Sequence, residues 1–156
     1  MIAVKLEPAR IRDAAAIAAL SKRLVEPGVA PAWTLSRVER AIRNPDCRVL
    51  IARINQDLVG FALLEFEDLG AHLNLLAVSP NQQRKGVGRR LMHALQAHAL
   101  ELGATRMTLE CRASNTSALR FYDSLGYEQI RILPRYYEDH EEAVRLGRSL
   151  QVSVTS

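Results

Sequence analysis

Aromatic residues make up only 5% of this 156-residue chain: one tryptophan, four tyrosines and three phenylalanines. A base-stacking platform for nucleic acid needs several of them close together, so such a surface has little to be built from. Cysteine is scarcer still. Cys47 and Cys111 both fall inside apolar, strand-like stretches, which fits reduced core thiols and leaves no disulfide framework. No apolar run approaches the roughly 20 residues that span a bilayer, and Met1 to Lys5 leads into no signal-peptide core or cleavage site. A cytoplasmic protein with no membrane partner is expected. His72, His93, His98 and His140 form neither an H-E-x-x-H pair nor a C-x-x-C/H-x-x-x-H set, so no metal is expected and the histidines read mostly as surface residues. Internal repeats and low-complexity linkers are absent as well.

What is present points to one domain. With 48% hydrophobic and 24% charged residues, the chain can bury one sizeable core. Residues 1–156 are therefore expected to form a single domain, as a monomer or homodimer. The net charge of +4, from 21 Lys and Arg against 17 Asp and Glu, attracts phosphate polyanions without specificity. The cations are spread along the chain, with one dense cluster between residues 84 and 90, so no specific nucleic-acid partner is expected.

Apolar alternation over Ile2 to Leu6 predicts a first strand, ended by Glu7-Pro8. Asp13 opens a helix whose stripe of Ala14, Ile17, Ala18, Leu20, Leu24 and Val25 stops before Pro27-Gly28 and Pro31. Ser36 and Glu39 are spaced as a capping box for a second helix carrying Val38, Ala41 and Ile42, stopped at Asn44-Pro45. Trp33, between these helices, is either a packing anchor or a wall of a ligand groove. Cys47 to Ile54 and Leu58 to Phe66, joined at Asn55-Gln56-Asp57, predict an antiparallel hairpin, and His72 to Val78 a central strand buried on both faces.

Val87, Leu91, Ala94, Leu95, His98 and Leu102 then recur at helical spacing as far as Gly103. In the next strand Met107, Leu109 and Cys111 alternate with Arg106, Thr108 and Glu110; strand, loop, helix and strand in succession imply a parallel pair. Ser114-Asn115-Thr116 caps a short helix bearing Ala118, Leu119, Tyr122 and Leu125. Tyr127 to Leu133 and Ala143 to Leu150 are the last strands, and Gly147 with its neighbouring arginines suggests that the final one lies at an edge. The loop between them carries Glu138-Asp139-His140-Glu141-Glu142, either a solvated tip or a lure for a basic substrate. The order is βααβββαβαββ, an α/β class with a mixed sheet.

Between the central strand and its helix lies Gln83-Arg84-Lys85-Gly86-Val87-Gly88-Arg89-Arg90. Gly86 and Gly88 allow a tight turn that brings backbone N–H groups close to a ligand, and the helix starting there adds a partial positive charge. Arg84, Lys85, Arg89 and Arg90 oppose that dipole at a cost of a few tenths of a kcal/mol each, roughly, so an anion such as pyrophosphate would compensate them. Alone, the segment is equally a solvated basic turn. It lacks the G-K-[ST] ending of a P-loop, which argues against nucleotide hydrolysis.

Read together, these motifs carry a resemblance. Gln83 to Gly88 matches Q-x-x-G-x-G of the GNAT family of N-acetyltransferases, and Leu109-Glu110-Cys111-Arg112-Ala113-Ser114-Asn115 with Phe121-Tyr122-Asp123-Ser124-Leu125-Gly126-Tyr127 is similar to its ribosomal-protein-alanine acetyltransferase branch. The element order is also that family's. The resemblance implies a GNAT fold, with a central mixed sheet splayed between the fourth and fifth strands and helices on both faces. It implies acetyl-CoA as co-substrate, with Leu76, Ala77 and Val78 pairing with the pantetheine arm like an added strand. Gln83, Arg84, Lys85, Gly86, Val87, Gly88 and Arg89 would hold the pyrophosphate, and Asn115 and Tyr122 would also contact the cofactor. Glu110 is then the general base, Tyr122 the general acid, and Trp33, Tyr136 and Tyr137 line the acceptor groove. The implied acceptor is a protein N-terminus, such as that of a ribosomal protein. A small amine or antibiotic is the alternative, and a non-catalytic nucleotide- or RNA-binding module a remote one.

Overall fold

Seven strands form one sheet in the order β1-β2-β3-β4-β5-β7-β6 in the computed structural model, which describes residues 3–24, 33–137 and 140–150. The strands are β1 (Val4–Pro8), β2 (Cys47–Ile54), β3 (Asp57–Glu67), β4 (Gly70–Val78), β5 (Arg106–Arg112), β6 (Glu128–Leu133) and β7 (Ala143–Ser149). The helices are α1 (Ala14–Leu24), α2 (Leu35–Arg43), α3 (Val87–Glu101) and α4 (Thr116–Ser124). The element order is the expected one. Only β4 and β5 pair in parallel; every other neighbouring pair is antiparallel.

Helices cover both faces because the inner strands are apolar on both sides. In β2, Val49 and Ile51 join Phe61, Leu63 and Ala77 under Ile17 and Leu20 of α1 and Val38 of α2. Leu50 and Ala52 face the other way, into a core with Leu91 and Leu95 of α3 and Met107, Leu109 and Tyr122. Each fully buried aliphatic side chain there contributes about 1.5–3 kcal/mol. An ion-paired cluster ties the start of α1 to the outer strands: buried Asp13 meets Arg53, whose Nε also donates to Glu7 at 3.0 Å.

Three local expectations are corrected. The first strand reaches Pro8, opposite Leu50, because β1 is an edge strand and a missing N–H is tolerated there. Thr34 rather than Ser36 caps α2, its hydroxyl accepting from Arg37 N at 3.2 Å. The final strand is not an edge: β7 lies between β5 and β6, and β6 is the edge. Its glycine answers to a neighbour, since the Ile130 side chain lies over Gly147, where an added Cβ would collide with its Cδ1. The expected continuation of α1 to Val25, its breakers Pro27-Gly28 and Pro31, Ile2 and Glu138-Asp139 lie outside the described residues.

A bulge in β4 shapes the centre of the sheet. Leu63 pairs with Leu75 and Leu64 with Leu73, which leaves Asn74 as an extra residue. Ala71 and Leu73 consequently pack with the α3 side, whereas Leu75 and Ala77 pack with α1 and α2. β4 is central, but His72, Asn74, Leu75, Leu76 and Val78 are only half-buried.

Candidate active site

β4 and β5 stay paired only from Gly70 and Arg106 to Leu73 and Leu109. Beyond that point β4 continues along β3 to Val78, while β5 continues along β7 to Arg112. Two parallel strands thus part company, and Leu76, Ala77 and Val78 have a sheet partner on one side only. An extended ligand with amide groups can satisfy a strand edge of this kind.

The loop at the end of β4 is anchored from within. Gln83 Nε2 donates to the Val78 carbonyl at 2.9 Å, so this side chain holds the turn to the strand it leaves. Gly86 caps α3 at φ 88°, a left-handed conformation that explains the glycine, and a Cβ there would touch nothing within 4 Å. Gly88 lets the first turn of α3 pack closely on α4, 3.3 Å from the Phe121 ring for an added Cβ. The Val87 side chain is buried in the core, leaving its backbone N–H at the helix start. Of the four clustered cations, Arg89 donates to Ser124 Oγ at 2.9 Å and Arg90 to the Val4 carbonyl at 2.8 Å. Arg84 and Lys85 stand exposed beside Gly86. The loop therefore combines open space, helix N–H groups and two cations that pair with no carboxylate among the described residues, a fit for a pyrophosphate.

Asn115 does what its position predicts, its Oδ1 accepting from Ala118 N at 3.1 Å as the cap of α4. That helix packs Tyr122 into the core beside Cys111 of β5, 8% exposed, with its ring edge-on to Phe121 at 5.0 Å and Tyr127 at 5.8 Å. Burial pushes its phenol well above the ordinary value, and Cys111 and Tyr127 add to the shift. Tyr122 thus stays protonated throughout the neutral range, able to donate a hydrogen bond.

Glu110 occupies the opposite face of β5. Its side chain is 8% exposed and fully engaged: His72 Nε2 lies 2.6 Å from Oε2, and Arg145 places Nε at 3.0 Å and Nη2 at 2.5 Å from Oε1. Burial alone would raise this carboxyl, but hydrogen bonds from His72 and Arg145, reinforced by their charges, hold it below the ordinary range. The other nitrogen of His72, Nδ1, is 2.7 Å from Thr108 Oγ1. His72 lies in the central strand that was expected to start with it, but its contact with Glu110, like those of Arg145 and Thr108, was not expected. The signal was parity: residues opposite one another in register share a face, which puts His72, Thr108, Glu110 and Arg145 together.

The three proposed groove residues separate. Tyr136 is half exposed, and its phenol is raised by burial and by the neighbouring Glu110 charge, with Arg145 opposing. Tyr137 is buried, its ring 4.5 Å from the Arg112 guanidinium and edge-on to Tyr136. Trp33 is half-buried against the α1 and α2 core, with the Arg37 guanidinium 3.9 Å above its ring. Among the described residues no group of three His, Cys, Asp or Glu side chains is placed to hold a metal ion, and no helix is long and apolar enough to cross a membrane. A cavity of about 590 Å³ lies at the other end of β5, lined by Arg106, Glu128, Ile130 and Gly147, away from the split.

Comparison with known proteins identifies a family and similar folds. The model of the acetyltransferase (GNAT) family matches residues 16–127. Over 106 residues the sequence is 36% identical to the ribosomal protein bS18-alanine N-acetyltransferase of Salmonella typhimurium, covering 65% of this chain and 72% of that one. An uncharacterized N-acetyltransferase of Methanocaldococcus jannaschii is 34% identical over 101 residues, 64% of each chain, so the match spans just under two thirds of that relative. The fold is similar to the crystal structure of the ribosomal-protein-S18-alanine N-acetyltransferase from Escherichia coli, with a TM-score of 0.85 at 25% identity over 97% of this chain and 96% of that one.

Proposed function

The chain belongs to the GNAT family of acetyltransferases, and from that premise we propose that it moves the acetyl group of acetyl-CoA to a primary amine, the α-amine of a protein N-terminus. The observation that carries this reading is the parting of β4 from β5 after Leu73 and Leu109, with Glu110 on one face and Tyr122 on the other. The edge of Leu76 to Val78 supplies backbone partners for the pantetheine arm. Arg84, Lys85 and the first N–H groups of α3 hold the pyrophosphate. A thioester carbonyl set near Val78 would find a backbone N–H for the developing oxyanion.

The acceptor nitrogen attacks the carbonyl carbon; the N–C bond forms, the C–S bond breaks, and the nitrogen loses one proton. Glu110 supplies the negative charge that draws this proton. Tyr122 faces the departing sulfur. A free thiol ionises near ~8.5, so full proton transfer from a phenol held far above its ordinary value is uphill. Tyr122 therefore acts chiefly as a hydrogen-bond donor to the thiolate, which takes its proton from solvent. The N-terminal acceptor is supported by the two alanine acetyltransferases that the chain resembles in sequence and fold, and by exposed Tyr136 beside Glu110.

Mass spectrometry of N-terminal peptides, polyamines and aminoglycosides incubated with acetyl-CoA tests the proposal. Acetylation of peptide α-amines is expected. Turnover of small amines alone would move the acceptor to that class, and no turnover of any amine would refute transferase activity.

A further inference from the structure

The contacts of Glu110 pose a chemical problem that the proposed function leaves open. A base must accept a proton, yet this carboxylate is held by three nitrogens: Arg145 Nε and Nη2 on one oxygen and His72 Nε2 on the other. Protonating it means giving up hydrogen bonds to a guanidinium that never yields its own proton. The same contacts keep the carboxyl below its ordinary range despite burial. Glu110 is therefore built to remain ionised, and the proton needs another resting place.

The chain of contacts runs on. With Glu110 ionised, the 2.6 Å approach of His72 Nε2 requires a proton on that nitrogen, because a lone pair facing a carboxylate is repulsive. Nδ1 of the neutral ring is then the acceptor, and Thr108 Oγ1, 2.7 Å away, donates to it. Carboxylate, imidazole and hydroxyl lie in series, in which the carboxylate fixes the tautomer and steadies the imidazolium that forms. His72 has 30% of its side chain exposed, so water reaches it. The groups facing it are Glu110 and Thr108 from β5, Glu65 directly across on β3, and Asn74, which itself donates to Glu65 at 3.0 Å; Arg145 and Tyr136 stand behind Glu110.

We propose that His72, reached through water and the Thr108 hydroxyl, takes up the proton released by the acceptor amine, while Glu110 stays charged and Arg145 holds it in place. This rests on the acetyltransferase reading and deepens it. The balance is simple: the attacking nitrogen gives up one proton, Thr108 passes one to Nδ1 and regains one from water, and the imidazolium later releases it to solvent. The thiolate held by Tyr122 gains its proton from solvent. Thr108 serves both states of the ring, since a hydroxyl donates to neutral Nδ1 and accepts from protonated Nδ1. His72 and Thr108 act at one remove from the reacting atoms, as positioning and relay residues.

The test is kcat at saturating acetyl-CoA and peptide, with KM for both substrates, for the wild type and for His72→Gln, Thr108→Val and Thr108→Ser. His72→Gln should lose about 10²-fold in kcat, the scale of one proton-transfer group. Thr108→Val should lose tenfold or more, on the order of a single relay step, and Thr108→Ser should restore it. Acetyl-CoA affinity by calorimetry should stay within twofold throughout. Wild-type kcat in both His72→Gln and Thr108→Val would overturn the relay and leave Glu110 as the sole base. Should His72→Gln fail to fold, the two threonine variants decide. Nitrogen-15 shifts of the His72 ring, measured without substrate, separate this idea from the activity itself. A neutral ring protonated at Nε2 upholds the arrangement even if no amine is turned over, whereas one protonated at Nδ1 sinks it.

Discussion

Arg145 grips Glu110 through two nitrogens on a single oxygen, Nε at 3.0 Å and Nη2 at 2.5 Å, across the β5–β7 register in which these residues stand directly opposite. With the Glu110 side chain 8% exposed, replacing Arg145 by Met should cost about 1–3 kcal/mol at pH 7, the range for a charge-assisted hydrogen bond lost at a buried site. The pH dependence has a definite sign. A carboxyl held below its unfolded value stabilises the fold above that value and loses the contribution as pH falls through the folded one. The gap between wild type and Arg145→Met in urea melts should thus be full at neutral pH and close below the usual carboxyl range. A gap that stays the same from neutral to acid conditions would show that Arg145 acts through packing alone.

Replacing Glu110 by Gln keeps the shape and removes the charge. Turnover should drop by about 10²–10³-fold, as expected for loss of a preorganised charge beside the reacting amine and the proton relay it supports. Acetyl-CoA affinity should hold within a factor of two, because Glu110 faces away from the pyrophosphate loop. Steady-state kinetics with calorimetric binding checks both, and near-normal turnover would remove Glu110 from the mechanism.

Much of this arrangement was legible in the chain, because its signals are local. Periodicity and turn signals placed the seven strands and four α-helices of the described residues, and Gly86, Asn115 and Tyr122 do what turn, cap and helix-face chemistry demand. Strand order is different. That β7 inserts between β5 and β6 depends on pairing across most of the chain's length, and the Gly147 pattern suggested an edge because Ile130, the residue that covers it, lies on another strand. The same limit hid His72 and Arg145. Each looked ordinary in its own strand, and only the registers of β4 with β5 and of β5 with β7 bring both to Glu110. Tyr137 was paired with Tyr136 by adjacency, yet successive residues diverge, and one ring is buried under Arg112 while the other is half exposed.

Tyr122→Phe removes one hydroxyl and leaves the edge-on ring contacts with Phe121 and Tyr127 in place. Turnover should fall by about tenfold to a hundredfold, on the scale of a single donor to a developing charge, with thermal stability and acetyl-CoA affinity little changed. Because the phenol is held above its ordinary value, the wild-type profile should show no loss of activity from Tyr122 ionisation below about pH 10. A basic limb that vanishes in Tyr122→Phe would contradict the hydrogen-bond role.

Gly86→Ala tests the loop. At φ 88° an alanine is strained by roughly 1 kcal/mol, although its Cβ would meet nothing within 4 Å. The cost is therefore conformational rather than steric, and the melting temperature should fall by a few degrees, about what 1 kcal/mol gives at this size. The turn should also relax away from its N–H geometry, raising the acetyl-CoA dissociation constant while the acceptor KM is spared. Unchanged affinity alongside a lowered melting point would mean that the loop backbone does not hold the donor.

Glu141 links the two halves of the site. Its carboxylate accepts from Arg112 Nη1 at 2.6 Å, from Ser114 N at 3.1 Å and from the Ser114 hydroxyl, while its own carbonyl accepts from Tyr137 N at 3.2 Å. The Tyr136–Tyr137 loop is thereby fastened to the turn that leads into Asn115 and α4. Hydrogen bonds from Ser114 and then Arg112 hold this carboxyl below its ordinary value, so the latch is closed at neutral pH and opens as pH falls below the usual carboxyl range. Glu141→Gln keeps two acceptor positions at most and loses the charge that engages Arg112. The loop bearing Tyr136 should then loosen, raising the acceptor KM severalfold with the acetyl-CoA KM unchanged, and hydrogen exchange at Tyr137 N–H should quicken. If exchange quickens while both KM values hold, the loop is a brace for the sheet and takes no part in acceptor recognition.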